Sequence, residues 1–390
     1  KIFIPDNNIN ERQYIVDVIF REFLGLDYLV EFRENTSVWE IELKDRGRII
    51  IEDHFFRKFQ RDLEYLNIKN IPHSVKFQDK KNNPFLSECD IPIIYGEDKL
   101  AIDENSKTII CGIDIFASSF FMLTRWEEYV NPSRDEYNRF PHTESIAYKF
   151  NFLHRPIVNE YVEMLWNMMK YLSFNIYRKK RNFQILLTHD IDIAFKYSSL
   201  ISGSREILGD ILKRKNLILA FENMKTKIMT HLNIIKDPYD TFDYLMDISE
   251  RFSTKSYFFL HASTSSVYDF DNSRYLKTLV DKIKSRGHFI GYHPSFNAYK
   301  DIEIFRKDKQ KIEKIIGIPL KFGRQHWLTF EAPTTWQIWN DCNMEWDSTL
   351  YYADEEGFRC GVCYPYSVFN FLTRKKLKLK EKSLTIMEWT

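Results

Sequence analysis

The stretch that most constrains this chain is Gln184–Asp192, where a short apolar run changes abruptly into a polar one. Ile185–Leu187 is too short for a helix and is typical of a buried strand. Asp190 and Asp192 follow it two residues apart, so on an extended backbone both carboxylates point to the same side. Adjacent carboxylates repel, which requires a proton on one of them or a cation between them. A helix N-cap followed by a surface turn is the alternative explanation.

The rest of the second half alternates between helix-like and strand-like segments, which predicts parallel strands joined by helical crossovers. About 200 residues in such a pattern suit either a barrel or an open doubly wound sheet. The lysine-rich segment 198–236 interrupts the pattern, and we expect it to be a helical insertion above the first strand. The predicted elements after it are helix 240–252, strand 255–261, helix 275–286, strand 288–293, helix 303–316, strand 321–323, helix 333–343 and strand 344–346.

Polar residues stand at the ends of these predicted strands. His293 ends one strand, Arg324 and His326 follow the next, and Asp347 follows the last. Polar groups at the carboxyl ends of parallel strands are the layout of an α/β active site. Imidazole and carboxylate together are natural ligands of zinc or a similar divalent ion.

Two further histidines lie on the same predicted strands. His288 precedes His293 by five residues, which reverses the side it faces and separates the two by roughly 16 Å along a strand. We therefore assign His288 a structural role. His261 ends the strand 255–261, and we favour a structural role for it too, because a lone histidine is more often structural than a ligand.

The first 180 residues are predicted to form a smaller α/β domain. The spacing of apolar residues predicts helices over 14–24, 55–66 and 152–172, with strand-like runs among them. The basic run 178–181 is predicted to be a solvated linker, so we place the domains at 1–180 and 181–390. A chain of 390 residues is long for a single core, which also favours two domains.

The overall charge and the cysteine content argue against several classes of function. The formal net charge is +1, which gives no overall attraction to nucleic acid or to an anionic membrane. No apolar run approaches ~18 residues, so no transmembrane segment is expected. The five cysteines lack a disulfide framework, and the chain starts without the apolar stretch of a signal peptide, which together favour the reducing cytoplasm. The oligomeric state is not indicated.

The motifs of the second half resemble the polysaccharide deacetylase (NodB-homology) superfamily, which includes carbohydrate esterase family 4. Thr188–Asp192 is similar to its first motif, in which one aspartate is the general base and a second binds the metal. Gly287–Ser295 is similar to the strand that leads to the second, metal-binding motif, and Arg324–Trp327 to the third, in which an arginine orients the base. Asp347–Leu350 and Gly357–Arg359 resemble a downstream segment of many members.

The resemblance covers about residues 181–390 and implies a distorted (β/α) barrel with fewer than eight regular units, preceded by the smaller α/β domain. It implies a hydrolase that removes N- or O-acetyl groups from a polysaccharide or a sugar-containing surface glycan, with a divalent metal, zinc for preference. The first half of the chain, notably Asp114–Glu128 with Asp135–Phe140, resembles an uncharacterised N-terminal domain that accompanies a bacterial branch of such proteins.

The resemblance also implies roles for individual residues. Asn297 stands where the family has a second metal-binding histidine, and we favour His326 over His189 as its replacement because His326 shares the parity of Arg324. His326 could instead serve as the proton donor, since the family's late histidine motif is not visible. The implied site is Asp190 and Arg324 in catalysis, Asp192, His293 and His326 on the metal, and Trp327 and Asp347 on the substrate.

Two other functions stay open at this point. Because of Asn297, the domain could be a barrel that has lost catalysis and binds a glycan or a protein. A metal-dependent hydrolase that acts on amides other than those of sugars would have the same motifs, since a fold does not determine a function.

Overall fold

The computed structural model describes residues 1–44, 47–173, 175–197, 203–261 and 273–388, with only the backbone described for 273–275. The chain is a mixed α/β protein that divides into two compact units. Unit 1 comprises residues 1–182 and 327–390, and unit 2 comprises residues 183–326. No helix within the described ranges is long and apolar enough to cross a membrane. The domain limits at residue 180 stay a prediction.

The first 182 residues contain a mixed six-stranded sheet. The elements are β1 (Ile2–Pro5), α1 (Ile9–Val16), β2 (Val30–Arg33), β3 (Val38–Glu42), β4 (Arg48–Glu52), β5 (Lys76–Asp79), β6 (Asp90–Ile93), β7 (Gly96–Asp103), β8 (Thr108–Ile113), α2 (Ile115–Thr124), α3 (Trp126–Val130), α4 (Ile146–Lys149) and α5 (Ile157–Leu172). A π-helical segment, Asp17–Leu24, continues α1. The sheet has the order β2-β1-β3-β4-β8-β7, and β5 and β6 form a separate antiparallel pair.

Helix α2 forms the centre of the core of unit 1. All ten of its residues are buried, as expected for a helix that is apolar on every side. Its N-cap is Asp114, whose carboxylate accepts a hydrogen bond from the Ala117 amide at 3.1 Å. The helix ends at Arg125, which adopts the left-handed conformation (φ 54°), and α3 starts directly after it. This turn carries the charged residues Arg125, Glu127 and Glu128 into the interior.

The predicted helix over residues 55–66 is wrong. The structure has only a single 3₁₀ turn there, Phe56–Lys58. Phe55 packs against Phe59, Tyr65 and Tyr95, with ring centroids 4.3–6.1 Å apart. The aromatic side chains therefore enter one cluster from an irregular backbone, and tertiary packing overrides the helical spacing.

Unit 2 is built on four parallel strands, as the alternation predicted. Its elements are β9 (Leu187–Ile191), α6 (Ser204–Leu212), α7 (Leu217–His231), α8 (Phe242–Arg251), β10 (Ser256–His261), α9 (Ser273–Ser285), β11 (Phe289–His293), α10 (Ile302–Ile316) and β12 (Phe322–Gly323). The strand order is β12-β11-β10-β9, and every neighbouring pair is parallel. The predicted insertion 198–236 forms α6 and α7, except that 198–202 lie outside the described residues.

Strand β9 differs from the expectation of a buried strand. It begins at Leu187, and Ile185 and Leu186 ahead of it are 64% and 36% exposed. The reason is that β9 lies at an edge of the sheet in the part of the chain that the structure describes. No closed barrel is formed by the described strands, so the predicted (β/α) barrel is not confirmed.

Residues 327–390 belong to unit 1. Their elements are α11 (Thr334–Asp341), β13 (Trp346–Asp347), β14 (Tyr366–Asn370) and β15 (Lys375–Glu381). β15 pairs in parallel with β13 and antiparallel with β14. The Tyr14 hydroxyl donates to the Ser367 carbonyl, and the Tyr366 hydroxyl donates to the Leu123 carbonyl, each at 2.9 Å. These buried bonds join the last segment of the chain to α1 and α2.

Candidate metal centre

The carboxyl ends of neighbouring strands in unit 2 bring polar residues to one edge of the sheet. β10 and β11 pair so that His261 lies opposite His293. The register of β9 against β10, continued by one residue, places Asp192 beside His261. His326 follows the end of β12 by three residues. A carboxylate and three imidazoles from four strands are thus placed side by side.

The four side chains direct their ligand atoms toward one point, and these atoms all lie within 4.8 Å of one another. Asp192 Oδ1 is 3.3 Å from both His293 Nε2 and His326 Nδ1, and the two nitrogens are 3.0 Å apart. A tetrahedral ion with bonds of ~2.0–2.1 Å separates its ligands by ~3.3 Å. Three of the atoms therefore already have the spacing of ligands around a zinc-like ion.

The hydrogen bonds of two histidines fix their tautomers. His293 Nδ1 is 2.7 Å from the Arg324 carbonyl oxygen, and His261 Nδ1 is 3.2 Å from the His293 carbonyl oxygen. A carbonyl oxygen only accepts, so both Nδ1 atoms carry the hydrogen, and in the neutral rings both Nε2 atoms keep a lone pair. A hydrogen bond from the second ring nitrogen to a carbonyl is the usual support of a metal-binding histidine.

The charges in the cluster suit a cation. Burial raises the pKa of Asp192, but His293 and His326 outweigh burial and hold the pKa well below its usual value. Burial, followed by the nearby His293 and His326, lowers the pKa of His261 to about 3. Burial also lowers the pKa of His326. At neutral pH Asp192 is thus an anion and both of these histidines are neutral, which are the forms that bind a metal.

His293 behaves differently from the other two histidines. Burial lowers its pKa, but the carboxylates of Asp190 and Asp192 outweigh burial and raise the pKa above the usual value. A proton on His293 and a metal ion are alternative sources of the positive charge that these carboxylates attract. The donor set itself, one carboxylate and three imidazoles, fits a divalent ion such as zinc.

A second carboxylate lies beside the cluster but is held by different groups. Arg324 Nη1 donates to Asp190 Oδ1 at 2.9 Å, and Arg324 Nη2 donates to the Thr188 hydroxyl at 2.8 Å. Thr188 and Asp190 are on β9, whereas Arg324 follows β12, three strands away in the sheet order. In a flat sheet those strands would lie ~14 Å apart, so the sheet curves, with these side chains on its concave face.

Two glycines permit the close approach of strands behind these side chains. A Cβ atom at Gly323 would lie 1.8 Å from the Tyr292 carbonyl oxygen, and one at Gly291 would lie 2.5 Å from the Phe259 ring. Any larger residue at Gly323 would push β12 away from β11. The position of Arg324, one residue later, depends on this contact.

The structure places Trp327 and Asp347 in unit 1. Trp327 directly follows His326 in the chain, is 46% exposed, and packs on Tyr137 with ring centroids 4.6 Å apart. Trp327 and Leu328 have φ angles of 59° and 55°, a strained conformation for non-glycine residues. Asp347 is fully buried, and its carboxylate accepts a hydrogen bond from the Thr349 amide at 3.0 Å. A role of either residue in substrate binding stays a prediction.

Three other residues considered from the sequence lie outside the cluster. His189 faces the opposite side of β9, where its Nε2 lies 3.1 Å from the Ser256 hydroxyl. His288 is buried before the start of β11, where its Nδ1 accepts a hydrogen bond from the Ser256 amide at 3.0 Å. Asn297 is exposed, in the short 3₁₀ turn after β11.

His261 is the member of the cluster to which sequence reasoning gave a structural role. Its ring lies 4.4 Å from that of His326, between centroids. One signal in the sequence could have identified it, because His261 ends its strand just as His293 ends the next one. Equal positions at the ends of adjacent parallel strands predict adjacent side chains.

Comparison with known proteins gives two similarities. The model of a family of unknown function, DUF7033, matches residues 1–173. Among solved structures, the chain is similar to a protein described as a putative polysaccharide deacetylase from Mycobacterium smegmatis, with 16% identity and a TM-score of 0.32. That alignment covers 51% of this chain and 58% of the other, so it does not assign a function. No curated protein matches the chain.

Proposed function

We propose that this protein is a metal-dependent hydrolase that removes N- or O-acetyl groups from a carbohydrate. The observation that carries the proposal is the convergence of Asp192, His293 and His326 beside the separately held Asp190–Arg324 pair. Hydrolysis by activated water requires both parts, a cation site and a base that is not consumed as a ligand. The substrate class rests on the resemblance of the motifs to polysaccharide deacetylases.

The proposed ligands are Asp192, His293 and His326, and zinc is the ion that this donor set fits best. A divalent ion bound there supplies the Lewis acidity that activates water and polarises an acetyl carbonyl. His261 supports the group, because its ring packs on His326 and its Nδ1 bonds to the His293 carbonyl. Outer groups of this kind orient the ligands.

Asp190 is the proposed general base. Its carboxylate is fixed by Arg324, which also bonds to Thr188, so its direction is set before a substrate arrives. It lies two residues before Asp192 and faces the same side of the chain. A base in this position accepts the proton of the attacking water.

The substrate is proposed to be an acetylated sugar. The exposed ring of Trp327, next in the chain after the proposed ligand His326, offers a flat apolar surface of the kind on which a sugar ring stacks. The concave face defined by Arg324 and Asp190 supports the finer proposal of a deacetylase-type (β/α) barrel.

The test measures acetate release from N-acetylglucosamine oligomers and from an O-acetylated polysaccharide, with zinc-loaded protein. Asp190→Asn is expected to lower the rate about 10²–10⁴-fold without loss of metal, because the base is removed and the ligands remain. The matched control is Asp281→Asn, an exposed carboxylate on α9 of the same unit, which should leave the rate unchanged.

Full activity in Asp190→Asn would remove the proposed base. Stoichiometric metal without acetate release from either substrate would instead favour the alternative, a metal-containing glycan- or protein-binding module. This alternative is retained because Asn297, which stands where the deacetylase motif has a second metal-binding histidine, is exposed in the turn after β11.

A further inference from the structure

The helical hairpin of α6 and α7, residues 203–232, has polar contacts on its inside. Asp210 is fully buried and accepts a hydrogen bond from Asn223 Nδ2 at 2.8 Å across the hairpin. Lys227 Nζ donates to the Ser204 hydroxyl at 2.7 Å, also from one helix to the other. These hydrogen bonds connect polar side chains of the two helices.

Many large apolar residues of the hairpin are exposed to solvent. On α7, Leu217, Phe221, Met224 and Ile228 follow one another at helical spacing and are 70%, 61%, 44% and 52% exposed. Large apolar side chains on α6, such as Leu212, are exposed as well. A helix that is stable in water turns such a stripe toward a core. Contiguous exposed apolar surface of this kind marks an interaction site.

The hairpin is anchored at its base, so its outer surface has a defined position within unit 2. The Asp237 carboxylate accepts hydrogen bonds from the amides of Lys196 and Tyr197, at 2.9 and 2.8 Å, and closes the two ends of the insertion. The Tyr197 hydroxyl donates to the Asn223 carbonyl of α7 at 3.2 Å. These bonds connect α7 and the segment after it to the residues that precede the insertion.

The charge of the hairpin identifies the kind of surface that it fits. Residues 203–236 contain seven lysines and arginines against three aspartates and glutamates, a net charge of +4, whereas the whole chain has +1. Three of the basic residues, Lys213–Lys215, form the turn between the two helices, at the same end as the exposed Leu212 and Leu217. Basic residues beside an exposed apolar stripe are the pattern of a helix that lies in a membrane interface.

A groove between the helices adds to this pattern. It has a volume of about 450 Å³ and is open to solvent. Its lining is mainly apolar, with Lys227 and His231 among the polar residues. Such a groove offers apolar surface to an acyl chain and positive charge to a phosphate headgroup.

We propose that the α6–α7 hairpin binds the surface of an anionic lipid bilayer. The apolar stripe of α7 enters the interface, and the basic residues of the turn lie near the headgroups. This attachment is separate from the proposed hydrolase activity and does not depend on it. The net charge of the whole chain gives no sign of this membrane attachment, because the excess of basic residues is confined to this one insertion.

The test is co-sedimentation of the full chain with vesicles of phosphatidylcholine alone or with about a quarter phosphatidylglycerol. We expect binding to the anionic vesicles to be at least about tenfold tighter and to weaken at high salt. Leu217→Ser with Phe221→Ser, and separately Lys213→Glu with Lys215→Glu, should each weaken binding about tenfold or more. The matched control, Phe252→Ser with Lys284→Glu, changes exposed residues elsewhere in unit 2 and should have no effect.

Absence of binding by the unaltered chain to anionic vesicles would overturn the proposal, and so would equal binding to both kinds of vesicle. Self-association in light scattering that Phe221→Ser abolishes, without vesicle binding, would make a second copy of the chain the occupant instead. The comparison of vesicles and the salt dependence use the unaltered chain, so they remain decisive if a variant folds poorly.

Discussion

Two buried polar clusters, one in each unit, differ in how their charges are balanced. The first, here the charged cluster, joins α2 and α3 to the last segment of the chain. The second, here the His–Asp cluster, lies at the strand ends of unit 2. Their members are Arg125, Glu127, Glu128 and Arg359 in unit 1, and Asp192, His261, His293 and His326 in unit 2.

The charged cluster supplies its own counter-charges. Glu128 accepts hydrogen bonds from Arg125 Nε at 2.9 Å and from both Nε and Nη2 of Arg359 at 2.9 and 2.6 Å. Glu127 pairs with Arg125 Nη2 at 3.0 Å. Two guanidinium groups face two carboxylates, and all four side chains are at most 2% exposed. The formal charges of this network therefore balance without a ligand.

The His–Asp cluster has no fixed positive charge. Its carboxylate faces three imidazoles, of which His261 and His326 have lowered pKa values and His293 is charged only when it binds a second proton. The negative charge of Asp192 is balanced only when the cluster takes up a proton or binds a cation. Buried charged residues therefore indicate a functional site only where the neighbouring side chains do not balance their charge.

The largest expected effect is in the charged cluster. Glu128→Gln should lower the free energy of unfolding by about 3–5 kcal/mol, because it leaves the buried guanidinium groups of Arg125 and Arg359 without their shared carboxylate. Urea denaturation of the full chain measures this change in the free energy of unfolding. Glu136→Gln, an exposed glutamate of the same unit, is the control. A loss below about 1 kcal/mol would show that the cluster is not an essential part of the core.

The stabilisation of the fold by Glu128 should depend on pH. Burial raises the pKa of Glu128, but Arg359 and Arg125 outweigh it and lower the pKa to about 2 from the usual 4.5. The ionised Glu128 carboxylate therefore contributes fully to the free energy of unfolding above pH 4.5. This contribution is lost as the pH falls toward 2, because Glu128 takes up a proton at a higher pH in the unfolded chain than in the folded one. The difference in unfolding free energy between the unaltered chain and Glu128→Gln should stay constant from pH 7 to 5. It should then shrink by about 3 kcal/mol in acid.

A difference that does not change with pH would contradict the assigned ion pairs. In that case Glu128 would stabilise the fold by packing alone. Comparison with the glutamine variant isolates this one carboxylate from the other buried acids of unit 1.

The smallest expected effect concerns His261. His261→Ala should weaken zinc binding about tenfold, because it removes a group that supports His293 and His326. Competition with a chelator of known affinity measures the change. His288→Ala is the matched control, a buried histidine from the other end of the sheet, and it should leave zinc affinity unchanged. Complete loss of metal in His261→Ala would make His261 a ligand rather than a support.

The sequence predicted strands β10 and β11 of unit 2 well, because each is an apolar run between helices with clear ends. It failed at Phe55–Leu66, where a helical spacing of aromatic residues serves a compact cluster and no helix forms. It also placed the start of the first strand two residues early, since apolar composition does not distinguish an edge strand from a central one.

The candidate site could be predicted in part. Residues two apart on a strand face the same side, which is how the sequence predicts neighbouring carboxylates at Asp190 and Asp192. The structure brings Asp192, His293 and His326 together. His261 was missed because we assessed it as a lone histidine and did not compare its position with that of His293 at the end of the next strand. The pairing of Arg359 with Glu128 was missed for a similar reason, since 231 residues separate the two.

The most direct measurement is the metal content of the purified full chain after loading with zinc and removal of excess metal. We expect close to one zinc ion per chain, lost in His293→Ala and retained in Glu128→Gln, because His293 is a proposed ligand and Glu128 is not. X-ray absorption should give nitrogen and oxygen neighbours at ~2.0–2.1 Å. Retention of less than about a tenth of an ion per chain, or equal retention by His293→Ala, would contradict the account.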